Sequence, residues 1–447
     1  MMEKQFLDLY SETKDVLNAH SASIFNSYRP EAESNLTRKG MPTKREEAYL
    51  YCPVFEALEK NWGVNIKRLQ PAITDDNLFH CAVPGIKTTS IYFTNDTWHG
   101  NDFIDLGNGA IACSMKYASA HYGDILKSYY GAILQDETDG FSSLNSLLVQ
   151  DGIFIYIPQG VKVQLPIQVL NVMYAKQRLM SIGRNLIIME PETELHYIDC
   201  VHTMNETEYF QSRVTEIFVG SAATLRYCSI ESSGENMNAI HRIAIRQKKD
   251  SDVKVSGFGL LLGATRNHIT IDLDEPGASA WLGGMLLIDK KERCDNYTII
   301  RHHACNCTSN ELYKYILDDS AEGAFSGRII VDHGAQKTNS YQTNRNICLS
   351  KEARALGRPQ LEIYADDVKC GHGATTGMLD ENALFYMQQR GIDLKEARLL
   401  LLQAFSAEVL ENITLPALAD RLRLLIEKRL TSLPGMQQML KNFLKNF

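Results

Sequence analysis

No run of about twenty apolar residues occurs in the 447-residue chain, so no transmembrane helix and no membrane association are expected. The opening residues Met1–Tyr10 mix charged and apolar side chains and contain no apolar stretch of the kind a secretory leader needs. A cytoplasmic location is therefore expected. A basic surplus is also lacking: 46 Lys and Arg stand against 54 Asp and Glu, a net charge of −8. That excludes a general nucleic-acid surface, which needs a basic footprint. Gly257, Gly259 and Gly263 are not followed by Gly-Lys-Ser/Thr, so the chain has no phosphate-binding loop of its own. The Cys-x-x-Cys pairs of common zinc modules are missing as well. Ten cysteines are present, and without a secretory leader they read as reduced thiols.

What is present divides into three regions, 1–78, 79–367 and 368–447. In the first, Phe6, Leu7, Tyr10, Val16 and Leu17 recur at helical spacing, with polar residues on the other face. Tyr28–Arg45 contains Pro30, Gly40 and Pro42 and reads as a loop or break, followed by a short helix over Arg45–Glu59. The middle region reads as strand after strand. Val161, Val163, Leu165, Ile167 and Val169 alternate with polar residues, and short apolar runs follow from Leu186–Met189 to Ile329–Val331. Turn residues separate them, as at Glu190-Pro191 and Gly220-Ser221. No helix-length amphipathic segment interrupts the series. Many short strands fit a sandwich, a barrel or a β-solenoid, and the length favours the solenoid, whose rungs need only their neighbours. The last region reads as helical from about Gly373. Asp380 and Asp393 stand as N-caps, Gly391 as a C′ glycine and Pro416 near a helix start, with a final amphipathic piece over Met436–Phe447.

The chemistry concentrates in Leu361–Gly377. Residues i and i+2 of an extended chain point the same way, so Cys370 and His372 can offer sulfur and nitrogen to one site. Iron accepts both, but a cluster usually takes four ligands, so a second chain or exogenous ligands would have to complete it. From the residues alone, a buried cysteine and a hydrogen-bonded histidine explain the pair better than a metal site does. His302, His303, Cys305 and Cys307 form a second cluster, with Cys305 and Cys307 sharing a face if that segment is a strand. The pair Asp366-Asp367 reads as a loop edge, since neighbours on a strand face opposite ways.

Long motifs then carry a resemblance. Ala353-Arg354, Pro359-x-Leu361-Glu362-Ile363, Ala365-Asp366-Asp367-Val368-Lys369-Cys370, His372-Gly373-Ala374-Thr375, Leu384-Phe385-Tyr386, Arg390-Gly391-Ile392 and Glu408-Val409-Leu410 resemble the SufB/SufD family of SUF iron–sulfur cluster assembly scaffolds. So do Ser309-x-x-Leu312-Tyr313-Lys314, Phe325-x-Gly327, Gln336-Lys337-Thr338, Leu144-Asn145, Asp151-Gly152 and Gly40-Met41-Pro42-Thr43. The glycines flanking His372 place the likeness nearer the SufD branch, and Tyr49 stands where the family often has tryptophan.

The resemblance implies a right-handed parallel β-helix core between N-terminal and C-terminal helical domains. It implies a non-catalytic scaffold that pairs with SufB and the ABC-type ATPase SufC, builds and delivers nascent clusters and supports iron acquisition. ATPase activity would reside in SufC. A homodimer is expected when SufB is absent. A transient cluster would be shared with SufB at His372 and Cys370, with no tightly bound cofactor. SufC docking is expected at Leu384, Phe385, Tyr386, Arg390, Phe405, Glu408 and Val409. A lever coupling the ATPase to the cluster site requires packing between Leu399–Leu410 and the strand ending at Tyr364. The alternatives are a secreted-type β-helix carbohydrate-active enzyme and an adaptor without a metal role.

Overall fold

The computed structural model describes residues 2–68, 83, 85–134 and 139–433. Cys81, the 78/79 division and the expected Met436–Phe447 helix fall outside them. Among the described residues, no helix is long and apolar enough to cross a membrane.

The core is a β-solenoid of about eight turns. From Ile167–Met173 to Lys369–Gly377, successive strands alternate between two sheets, and each pairs in parallel with the strand one turn on. Stacking places like on like. Ile155, Ile187, Ile217, Ile245, Ile271, Ile300 and Ile329 occupy successive rungs of one inward column, with Leu361 on the last. All seven isoleucines are buried, each stabilising the fold by about 1.5–3 kcal/mol before entropy is counted. One corner recurs too: Glu192, Ala222, Asp250, Gly277, Asn306 and Lys337 all adopt positive φ where the first sheet hands over to the second. Only Gly277 does so without a Cβ penalty.

The ends are helical. Met2–His20 and Ser23–Lys39 sit near Gly140–Leu148 on the outer face of the first sheet. Glu381–Gln389, Leu394–Leu410 and Pro416–Ser432 follow the solenoid, and the last two pack on the outer face of the second sheet. Arg429 fastens this unit, donating to Asp289 at 2.6 Å, Glu292 at 3.0 Å and the Leu260 carbonyl at 2.6 Å.

Several expectations are corrected. The break placed at Tyr28–Arg45 is helical to Lys39, with Pro30 inside the helix. A proline there removes a backbone hydrogen bond, but Phe25, Arg29, Ala32 and Leu36 share a buried face that offsets it. Arg29 is the residue that disguised this face: its guanidinium is buried yet satisfied by Ser21, Leu147 and Val149. The Arg45–Glu59 helix is instead a 3₁₀ turn at Glu47–Tyr49 and a single turn at Phe55–Leu58, separated by Pro53. Short helices at Met115–His121, Gly123–Tyr129 and Gly140–Leu148 do interrupt the strand series. The alternating segment from Val161 becomes strand only at Ile167, because Leu165 is exposed and Pro166 cannot donate to a ladder. At the other end, Lys369–Gly377 is a final strand, and helix resumes at Glu381. There Asp380 caps as expected, and Gly391 closes a Schellman turn through Ile392 N–H to Met387 O.

Candidate functional site

Cys370 and His372 lie on Lys369–Gly377, the terminal strand of the second sheet. Register puts both in inward-facing columns. Cys370 continues Ala280, Ser309 and Ser340, while His372 continues Leu282, Glu311 and Gln342. Cys370 is half-buried and packs against the apolar core, and burial pushes its thiol pKa up. His372 is exposed, because among the described residues no further turn covers it. Two ligand types therefore meet on one side of the strand at the open end of the solenoid.

Among the described residues that end is bare: Arg354–Ile363 and Lys369–Gly377 each have a strand on one side only. Gly371, Gly373 and Gly377 lie in an extended strand without positive φ. A Cβ added at Gly373 or Gly377 would meet nothing within 4 Å, so these glycines leave room outside the protein. Among the described residues, no group of three or more His, Cys, Asp and Glu side chains is placed to hold a metal ion. An ion held by Cys370 and His372 must draw further ligands from elsewhere.

Below the pair, the interior turns polar. Ser309 and Ser340 hydroxyls lie 2.6 Å apart, and His302 Nε2 is 2.9 Å from Ser309. Gln342 Nε2 donates to Glu311 Oε2 at 2.6 Å. Burial pushes Glu311 up to about 7 and His302 down to about 4. Sequence reasoning missed Glu311, Ser340 and Gln342. In a period-two reading they are solvent-face polars, and only the stacking register reveals that they lie beneath Cys370 and His372.

The second cluster does not assemble. His302 is buried in the interior, and Cys307 joins the core with its thiol directed at the Glu275 carbonyl. Cys305 and Cys307 flank Asn306 in a corner, not a strand. His303 sits outside between Asp272 and Asp332, whose hydrogen bonds raise it to about 9. Asp367 forms a loop-edge ion pair with Lys337. Gly259 and Gly263 serve close packing: a Cβ at Gly259 would lie 2.9 Å from Leu286 Cδ1, and one at Gly263 2.2 Å from the Met237 carbonyl oxygen.

The residues expected at the docking surface separate into three groups. Phe385 and Tyr386 are 63% and 60% exposed, and the Arg390 guanidinium stacks on Tyr386 at 5.1 Å. Leu384 and Val409 are buried. Phe405 and Glu408 bind their helix to the solenoid. Lys314 Nζ donates to the Phe405 carbonyl at 2.8 Å and pairs with Glu408 at 2.5 Å, and Arg345 pairs with Glu408 at 3.3 Å. The anticipated connection to the strand ending at Tyr364 is replaced by this one. Arg345 lies on Asn339–Cys348, the direct neighbour of the strand carrying Cys370 and His372.

Comparison with known proteins agrees with this architecture. Residues 172–405 match the family model described as SUF system FeS cluster assembly, SufBD core domain, and residues 1–169 match the SufBD protein N-terminal region. A SufBD family iron–sulfur cluster assembly protein of Synechocystis sp. is 30% identical over 345 residues, covering 74% of each chain. The iron–sulfur cluster assembly protein SufD of Escherichia coli is 26% identical over 416 residues, 90% of this chain and 93% of the relative. SufB of Bacillus subtilis is 24% identical over 367 residues, 80% and 78% respectively. The solenoid between helical ends, matched along nearly its whole length, belongs to the SufBD family of SUF-system iron–sulfur cluster assembly proteins.

Proposed function

We propose that this chain is a SufD-like, non-catalytic scaffold subunit that pairs with SufB and with the ATPase SufC to build nascent iron–sulfur clusters and support iron acquisition in the cytoplasm. Three units serve that role: the N-terminal helical region, the solenoid core, which runs through the strand Lys369–Gly377, and the SufC-docking helices that follow from Glu381. The observation that carries the reading is the juxtaposition of Cys370 and His372 on one side of a terminal strand at the open end of the solenoid. The iron and sulfide are cargo, held transiently and shared with SufB. Two bare parallel edges offer unpaired backbone groups to a partner's strands, or to a second copy when SufB is absent.

Phe385, Tyr386 and Arg390 present an exposed aromatic and cationic patch suited to SufC, with Met378 also 68% exposed. Force on those helices would pass through Glu408 to Lys314 and Arg345, and from Arg345's strand to its neighbour carrying the ligand pair. Family membership stands against the carbohydrate-active alternative.

Anaerobic purification of the tagged chain with its partners tests both halves of the reading. An ATPase should co-purify, and His372→Ala should lower iron and acid-labile sulfide together without releasing it. Normal iron and sulfide in that variant would remove the ligand role and favour the adaptor.

A further inference from the structure

The column beneath His372 contains an unsatisfied acceptor. Gln342 lies one rung below His372 and one above Glu311. Its amide orientation is set from below: Glu311 Oε2 takes a hydrogen bond from Gln342 Nε2 at 2.6 Å, which commits the amide N–H to that side. The carbonyl oxygen Oε1 is left buried and without a hydrogen-bond partner. A buried acceptor left unpaired is destabilising, so a donor is called for. Adjacent strands stack about 4.8 Å apart, which brings side chains of the same column within reach. The next side chain in this column is an imidazole, and the column ends there.

Gly327 supplies the space. A Cβ at that position would lie 2.2 Å from Gln342 Nε2 and 2.7 Å from its Cδ. Glycine here lets the amide lie across the interior.

We infer that Gln342, oriented by Glu311, is the positioning residue that fixes the tautomer of His372. Gln342 Oε1 accepts one ring N–H, and the other ring nitrogen keeps its lone pair free toward the open end. Metal-binding histidines generally need such a partner, because the hydrogen bond on one nitrogen decides which nitrogen is free to ligate. The inference rests on the reading of His372 as a ligand, but its test does not use iron.

The full chain is prepared iron-free with ¹⁵N-labelled histidine, and the ring nitrogens of His372 are assigned by their loss in His372→Gln. At pH 8 the wild type should show one protonated and one unprotonated nitrogen with well-separated shifts. Gln342→Met should draw those shifts together toward the average of two exchanging tautomers. Gly327→Ala should do the same by displacing the amide while leaving its chemistry intact. Glu311→Gln, which can still accept from Gln342, should keep the separated pair. Unchanged ring shifts in folded Gln342→Met or Gly327→Ala, or averaged shifts in the wild type, would overturn the inference. If these shifts respond as expected but His372→Ala keeps its iron, the ligand reading fails and the positioning contact stands. The reverse pattern sinks only the contact.

Discussion

Glu311→Gln separates the effect of a buried charge from that of a lost contact. Glu311 is fully buried, and desolvation raises it to about 7 from an ordinary value near 4.5. A carboxyl raised in the folded state contributes stability that is fully present below its unfolded pKa and lost as pH rises through the folded one. The loss should run from about pH 4.5 to about pH 7 and level off above. At about 1.36 kcal/mol per pKa unit it amounts to something on the order of 3 kcal/mol. Glutamine matches the shape and can still accept from Gln342, but it does not titrate. It also adds an amide N–H that costs roughly 1–3 kcal/mol at every pH if unpaired. The variant should therefore be less stable than wild type at pH 5, and the gap should close or reverse by pH 8. Urea midpoints followed by Trp281 fluorescence test this, since Trp281 is buried on a strand paired with that of Glu311. Comparing the two chains at each pH cancels other buried carboxyls, such as Glu231, which is also raised to about 7. A wild-type-minus-variant difference that stays constant from pH 5 to pH 8 would refute the reasoning.

Lys314→Met should loosen Leu394–Leu410 by about 1–3 kcal/mol, since it removes the Phe405 hydrogen bond and one partner of Glu408. Amide hydrogen exchange should rise in that helix and stay unchanged in Ile167–Met173. Gly284→Ala should abolish soluble expression, because the new Cβ would lie 2.0 Å from the Gly257 carbonyl oxygen, a backbone clash that repacking cannot relieve. His303, raised to about 9 by Asp272 and Asp332, contributes stability that is present below about pH 6.5 and lost as pH rises through 9. Melting temperature should fall across pH 7–10 in the wild type and fall less in His303→Gln.

The solenoid was legible where its columns are apolar. Leu186–Met189, Ile217–Val219 and Ile329–Val331 each fall inside a strand, and the turn residues Glu190-Pro191 and Gly220-Ser221 mark one repeating corner. Strands with polar interiors were not legible. Asn339–Cys348 drew no strand expectation because Ile347 is its one aliphatic residue, and Arg354–Ile363 was anticipated only at its end, as the strand ending at Tyr364. No repeat was visible because the rung length drifts. It is 30 residues from Leu179 to Tyr209, 26 from Asn238 to Ala264 and 32 from Glu322 to Arg354. At the site, the shared direction of Cys370 and His372 followed from strand geometry alone. Their position at an open end did not, since that depends on where the stack stops. The residues beneath them depend on pairings some 30 and 60 positions away in the chain, which local periodicity does not encode.

The central claim is that this chain gives one sulfur and one nitrogen to an iron site completed by another polypeptide. Iron K-edge X-ray absorption of the anaerobic complex tests it most directly, with wild type, Cys370→Ser and His372→Ala compared at matched iron loading. The nitrogen shell should weaken with His372→Ala and the sulfur shell with Cys370→Ser. Identical iron coordination in all three would contradict it.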